Sequence, residues 1–276
     1  MDGSIGVVVP AYDPDVDRLR TYLRTLEGTV APDALRVEVD APAPETLARL
    51  ADAPGTVNAV DRRRGKGAAI GDGFDALETD RLAFADADGS TPAASLLAVV
   101  RGLEGADLSV GSRRHPAATV SSHQGVLRRA LGDGFAWLAR RALPTELHDY
   151  QCGAKAIRAD AWERLRGHVT EAGFAWDVEV VGLAGALDQR VVEVPVAWDD
   201  QPGSTVAPLS TALDLGRTLV EVRRRTADLD PAEVERPASA PVPDPKPTVR
   251  TEGEPTAGLE RGTDSSDGSW SAVAGD

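Results

Sequence analysis

Two aspartates set two residues apart, Asp86 and Asp88, are the pair best placed to do chemistry in this chain of 276 residues. They close Leu82-Ala83-Phe84-Ala85-Asp86-Ala87-Asp88, which reads as a short buried strand, and Gly89 breaks the chain directly after them. Residues two apart in a strand face the same side, so the two carboxylates can converge just past the strand end. In an open α/β sheet that is where ligands bind. Two hard oxygen ligands there suit Mg²⁺ or Mn²⁺, with water and a substrate diphosphate completing the coordination. The competing reading is an exposed Asp-rich turn that caps the next helix, a task within reach of Asp88, Ser90 and Thr91.

Other residues invite the same double reading. Gly65-Lys66-Gly67 is no Walker A loop, because Val60 and Gly67 stand where that motif needs Gly and Ser or Thr. Its glycines still permit close approach of a phosphate, with Lys66 and a helix N-terminus favouring negative charge; a plain helix-start turn is the alternative. Arg113 and Arg114, just past a strand end, can hold a phosphate bidentately. Asp177 opens a helix, either as a carboxylate complementing the helix dipole or as a general base. Arg128, Arg129, Arg140 and Arg141 punctuate one helical pattern from about Ser122 to Leu143. That face is either solvated or rests on an anionic membrane. His115, His123, His148 and His168 lack metal-ligand spacing and read as structural or surface residues. Cys152 reads as a small core residue.

Positioning these groups falls to alternating strands and helices. Ile5 to Val9 is a continuous apolar β-branched run, as in a central parallel strand, and Pro10-Ala11-Tyr12-Asp13 reads as the loop after it. A helix follows with Asp15 as N-cap. Strands are expected at about 35–40, 56–60, 82–85 and 108–111, separated by helices near 45–50, 68–77 and 92–103. Acids or turn glycines close successive strands: Asp13, Asp40, Asp86, Asp88 and Gly111. This is a doubly wound, mostly parallel sheet. The second half brings helices near 159–165, 173–187 and 209–225 and one strand over 191–198. Beyond about Ala227 the chain turns to Pro, Glu, Asp, Ser, Gly and Thr, too polar to order itself. The expected division is a domain over 1–226, made of two halves (1–118 and 119–226), and a disordered acidic tail over 227–276.

Composition narrows the partners. A net charge of −14 argues against nucleic-acid binding. Lysine is confined to Lys66, Lys155 and Lys246. Surplus carboxylates of this kind suit a high-salt cytoplasm, where salt screens their repulsion. One cysteine excludes an internal disulfide, no apolar run is long enough to span a bilayer, and the start lacks a basic signal-peptide region. The expectation is a cytoplasmic protein, at most peripheral on the membrane's cytoplasmic face.

Taken in order, Val7-Val8-Val9-Pro10-Ala11-Tyr12, Gly65-Lys66-Gly67-Ala68, Asp86-Ala87-Asp88, Gly111-Ser112-Arg113, Asp149-Tyr150-Gln151-Cys152-Gly153-Ala154-Lys155, Trp176-Asp177-Val178-Glu179 and Val194-Pro195-Val196-Ala197-Trp198 resemble a family 2 glycosyltransferase of the GT-A fold. The likeness spans roughly residues 5–210 and is nearest the dolichyl-phosphate glucosyl and mannosyl transferase branch, here in an acidic, haloarchaeal form. The resemblance implies a nucleotide pocket lined by Pro10, Ala11, Tyr12, Asp40 and Lys66. It implies a metal and nucleotide-sugar site at Asp86 and Asp88, and an acceptor-phosphate site at Arg113, Arg128, Arg129, Gln151 and Lys155. Three features depart from it: Ala41 where a second acid is usual, Thr205 where a basic residue is usual, and the lack of the membrane span of some relatives.

The implied reaction is metal-dependent, inverting transfer of a hexose from a nucleoside diphosphate sugar, of the UDP-glucose or GDP-mannose type, to polyprenyl (dolichyl) phosphate, with Asp88 and Asp177 at the reacting centre. One alternative is transfer to a sugar or lipid hydroxyl with Asp177 as base. The other is a non-catalytic nucleotide-sugar-binding protein.

Overall fold

The computed structural model describes residues 3–121, 126–199, 208–227 and 229, with the side chains of 126–131 and 208–215 left aside. Strand β1 (Ile5–Tyr12) lies between β2 (Ala34–Asp40) and β4 (Arg81–Ala85), parallel to both, and β3 (Thr56–Val60) extends the sheet beyond β2. Beyond β4, β7 (Ala154–Arg158) runs antiparallel between β4 and β5 (Leu108–Ser112), and β8 (Val191–Pro195) pairs in parallel with β5. The order is β3-β2-β1-β4-β7-β5-β8. A separate parallel pair joins β6 (Thr119–Val120) to β9 (Ala197–Trp198).

Alternating side chains feed two cores. Val7, Val9, Val37, Ala83 and Ala85 meet α1 (Val16–Val30), α4 (Ala93–Gly102) and Leu50 of α2 (Pro44–Leu50). Val8, Leu82, Phe84 and Val110 meet α3 (Lys66–Asp75), α5 (Val126–Ala142), α6 (Ala159–Leu165), α7 (Trp176–Ala186) and α8 (Pro208–Ala227). Leu19, Leu23 and Leu26 of α1 are wholly buried, each worth roughly 1.5–3 kcal/mol of transfer free energy. Asp15 caps α1, its carboxylate accepting from the Arg18 N–H at 3.2 Å. Helix α7 is buried on every side over 176–184, because α8 crosses its outer face.

The strand order reverses direction at β1 and β4. Connections from β1 lead one way and those from β4 the other, which opens a crevice at their carboxyl ends. Asp86 and Asp88 follow β4 directly into it, as expected of a doubly wound sheet.

Three local readings change. Strand β1 continues through Pro10 and Ala11 to Tyr12, where a loop was expected. Its ladder with β4 ends at Val8, so Pro10, which has no N–H, lies past the bonds it would otherwise interrupt there. The single strand expected over 191–198 is two, separated at Val196 and paired with different sheets. β7 was not anticipated at all. The expected acidic tail and the Pro202-Gly203-Ser204-Thr205 loop lie outside the described residues.

Candidate active site

The crevice is built on four charges of alternating sign. The Lys66 ammonium lies 2.8 Å from Asp86 Oδ1 and 2.9 Å from Asp177 Oδ2, and the Lys155 ammonium lies 2.5 Å from Asp177 Oδ1. Each comes from a different element: Asp86 from the end of β4, Lys66 from the first turn of α3, Asp177 from the first turn of α7 and Lys155 from β7. Exposure falls steadily inward, from 38% for the Asp86 side chain through 10% for Lys66 to 2% for Lys155. The outer carboxylate faces the crevice; the inner three charges form its floor. Phe84 underlies both ammoniums, with Lys66 Nζ at 5.0 Å and Lys155 Nζ at 5.8 Å from its ring centroid.

Protonation follows from this order. Burial alone raises the Asp177 carboxyl; Lys155 and then Lys66 more than reverse it, holding Asp177 below the usual carboxylate range. At Asp86 burial prevails: with Asp177 and Asp88 adding like charge, its carboxyl is raised despite Lys66. Burial alone lowers the Lys66 ammonium, but Asp177 and Asp86 raise it overall.

Small residues make the crowding possible. Gly153 gives its carbonyl to the Asp86 N–H at 3.0 Å, and a Cβ there would fall 1.9 Å from Asp86 Oδ2. Gly65 has φ +99°, and a Cβ on it would meet the Ala172 carbonyl at 2.4 Å. A Cβ on Gly67 would meet the Glu171 carbonyl at 2.5 Å. These glycines therefore serve the close approach of the segment before α7, which sets Asp177 against Lys66. Upstream, Arg64 fixes the same turn. Its Nε donates to Asp40 Oδ1 at 2.8 Å, and the Arg64 and Gly65 N–H groups donate to Asp40 Oδ2. Asp40 thus shapes the loop and is itself only 2% exposed.

At the crevice mouth, Tyr12 is half exposed, with the Arg63 guanidinium 4.1 Å from its ring centroid. Pro10 and Ala11 lie buried behind it. Asp88 is exposed, and its Oδ1 accepts from the Ser90 N–H at 2.9 Å. It therefore closes the Asx turn of the competing reading while still standing at the strand tip. Gly89, at φ +68°, turns against Tyr22, whose hydroxyl donates to the Thr91 carbonyl.

On the side where an acceptor site was expected, Asp149 takes Arg113 through Nε at 2.7 Å and Nη2 at 3.0 Å. The Arg113 and Gln151 N–H groups donate to the same carboxylate. Burial alone raises Asp149, but Arg113 reverses this and holds it at about 2. Arg113 and half-buried Gln151 are thus locked to one another through Asp149, with Trp198 5.6 Å from the guanidinium. Lys155 is not on this rim: it lies behind the crevice, on Asp177 and the Cys152 carbonyl. Arg128 and Arg129 belong to α5, but their side chains lie outside the described residues. Cys152 is fully buried, and burial pushes its thiol up to about 12.

A divalent ion fits the donor set. Asp86 is partly open and Asp88 is exposed, so two hard carboxylates stand at the strand end within reach of solvent. Among the described residues no three metal-binding side chains cluster. Sequence reading missed two features. Arg64 was visible only as part of a basic run, although Glu38 and Asp40 in a buried strand called for a cation. His115 and His148, 33 positions apart, meet edge to face.

No protein-family profile matches the chain. It is 31% identical to glycosyltransferase AglD of Haloferax volcanii over 231 residues, 79% of this chain and 36% of that protein. The chain thus spans about a third of that relative's length. It is 26% identical to mouse dolichyl-phosphate beta-glucosyltransferase over 244 residues, 80% of this chain and 75% of that one. In fold it matches glucosyl-3-phosphoglycerate synthase from Mycobacterium tuberculosis, crystallised with Mn²⁺, UDP-glucose and phosphoglyceric acid. The TM-score is 0.62 at 17% identity, over 80% of each chain. Sequence likeness and fold agree: over about four fifths of its length the chain is similar to glycosyltransferases of the family 2 type, and its fold is that of the GT-A structures it matches.

Proposed function

We propose that this chain transfers a hexose, with inversion, from a nucleoside diphosphate sugar to a polyprenyl (dolichyl) phosphate. The observation that carries the choice of acceptor is Asp177. Both of its oxygens are taken by buried ammoniums and its carboxyl is held ionised. A hydroxyl acceptor needs a free base, and a carboxylate so engaged is a poor one. A phosphate monoester, with a second pKa near about 6, is already largely ionised at neutral pH and needs placing more than activating. The likeness to a dolichyl-phosphate beta-glucosyltransferase supports this acceptor, and the UDP-glucose bound by the structural neighbour supports this class of donor.

In this reading Asp86 and Asp88 would hold Mg²⁺ or Mn²⁺, which when bound neutralises the departing diphosphate as a Lewis acid. Lys66 steadies Asp86 from below. Pro10, Ala11 and Tyr12 shape the nucleotide pocket, and Asp40 acts there through Arg64 and Gly65. Arg113, Gln151, Arg128 and Arg129 form the acceptor side. Lys155 serves Asp177, and Asp177 is a positioning residue. Residues 1–226 carry the activity. No helix among the described residues is long and apolar enough to cross a membrane. Exposed Trp137 and Leu138 on α5, with Arg141 4.5 Å from the Trp137 ring centroid, support peripheral contact with an anionic bilayer on its cytoplasmic face.

The test is a panel of UDP-glucose and GDP-mannose, with and without polyprenyl phosphate, in Mg²⁺, Mn²⁺ or chelator. A phosphodiester product of inverted anomeric configuration, dependent on the ion, is expected. Transfer only to hydroxyl acceptors, or to none of the acceptors, overturns the proposal.

A further inference from the structure

The His115–His148 pair lies on the acceptor rim, outside the machinery described so far. His115 is three positions past Ser112, the last residue of β5, and its N–H donates to Ser112 Oγ at 2.9 Å. His148 directly precedes Asp149, which holds Arg113. The ring centroids are 5.7 Å apart and the planes cross at 76°. Each ring has its Nδ1 fixed by the protein. His148 Nδ1 lies 2.6 Å from Glu193 Oε2, while Glu193 Oε1 accepts the His148 and Asp149 N–H groups at 2.8 and 2.9 Å. His115 Nδ1 accepts the Ala117 N–H at 3.1 Å.

These contacts assign the tautomers. A carboxylate only accepts, so neutral His148 carries its proton on Nδ1 and presents a lone pair at Nε2. His115 accepts at Nδ1, so it presents an N–H at Nε2. One ring thus offers a donor and the other an acceptor, on a half-exposed and a partly buried imidazole whose centroids are 5.7 Å apart. The neighbouring guanidiniums are already engaged, Arg113 by Asp149 and Arg114 by Asp133. Beside half-buried Gln151, the imidazoles are further polar edges on this rim.

We propose that His115 and His148 form a subsite for a phosphate monoester, in which His148 takes the proton of the monoanionic acceptor. The inference rests on the acceptor reading above. His115 Nε2–H donates to one phosphate oxygen. The P–OH of the monoanion donates to His148 Nε2, and the proton passes to that nitrogen, leaving its electron pair on the acceptor oxygen. That oxygen forms the bond to the anomeric carbon as the bond to the donor diphosphate breaks, whose electron pair leaves with the nucleoside diphosphate. Glu193 is a positioning residue that holds the ring and faces the imidazolium. The other charges around His148 are His115, Arg113 and Arg114 on the loop after β5, Asp149 beside it, and Arg140 of α5, which donates to the Leu147 carbonyl.

The contribution is confined to the pH range in which the monoanion persists. The experiment measures transfer to polyprenyl phosphate from about pH 5.5 to 8 for the wild type, His148→Gln and Glu193→Gln. Donor hydrolysis by water, measured in parallel, is the denominator. For His148→Gln the ratio of transfer to hydrolysis should fall at least about tenfold near pH 6 and return toward the wild-type ratio by pH 8. Glu193→Gln should fall the same way but less. A pH-independent loss, or none, overturns the subsite. Wild-type protein that transfers to no phosphate acceptor instead overturns the acceptor reading. Independently of any variant, ¹⁵N-histidine spectra of the wild type should show the two tautomers. Inorganic phosphate should shift the Nε2 signals of His115 and His148 and leave His168 unmoved; no shift counts against the subsite.

Discussion

Two knots of buried charge flank the start of α3, and they are made differently. Arg64 faces three carboxylates, with Glu38 Oε2 at 2.9 Å, Asp40 Oδ1 at 2.8 Å and Asp72 Oδ2 at 2.9 Å, from β2 and from α3, which follows it. Lys66, two residues on, faces Asp86 and Asp177, which arrive from β4 and α7. A guanidinium is a planar fork whose geometry no other cation reproduces. An ammonium is a point charge that a second cation can supplement. The Arg64 knot is therefore a fixture of the scaffold, whereas the Lys66 knot, opening on the crevice through Asp86, is a place where charge can be rearranged.

The comparison can be broken most forcefully at Asp177. Asp177→Ala leaves the Lys66 and Lys155 ammoniums buried without their shared carboxylate, and should cost about 3–5 kcal/mol in denaturant unfolding. A loss below about 1 kcal/mol would mean that the inner charges are solvated and the knot is not one unit. The Arg113–Asp149 pair, bidentate on a single carboxylate where Arg64 spreads over three, extends the test to pH. Asp149 is held at about 2 in the fold, against roughly 3.9 in an unfolded chain. Its stabilisation is thus complete above about pH 5 and is lost as pH falls through about 2, roughly 2–3 kcal/mol in all. Unfolding followed from pH 5 to pH 2 should be measurably flatter for Asp149→Asn than for the wild type.

Arg64→Lys keeps the charge and discards the fork. It should destabilise by about 2 kcal/mol, because Glu38 and Asp40 lose geometry that a lysine cannot restore. At the open end, Asp86→Asn should change stability least, by less than about 1 kcal/mol, since that side chain is partly solvated. Transfer should nevertheless fall by about 100-fold or more, with a raised requirement for the divalent ion. Equal effects of the last two substitutions on stability and on transfer would erase the distinction between scaffold and site.

Much of this arrangement was legible in the chain. The β-branched run of β1, the Asp15 cap and the carboxylate pair closing β4 are local signals, and local signals survive folding. β7 was illegible for the opposite reason. Ala154-Lys155-Ala156-Ile157-Arg158 is poor in β-branched residues and carries a lysine at its second position. The carboxylate that makes that lysine tolerable is 22 positions away. The split of 191–198 turned on which sheet each piece joins, which Pro195 hints at but alternation does not disclose. The histidine pair was hidden because its members approach only once β5 and β7 are neighbours.

Lys155 also has a part in assembly. Its side chain points to the Phe84 and Val110 layer, while Ala154 and Ala156 point to the layer of Ala83 and Ala85. A slip of β7 by a single position would turn the ammonium into that alanine layer and strip Asp177 of its inner partner. The one strand that runs against its neighbours therefore carries its own alignment check. Misaligned chains should fail to consolidate and so not persist as folded but inactive molecules.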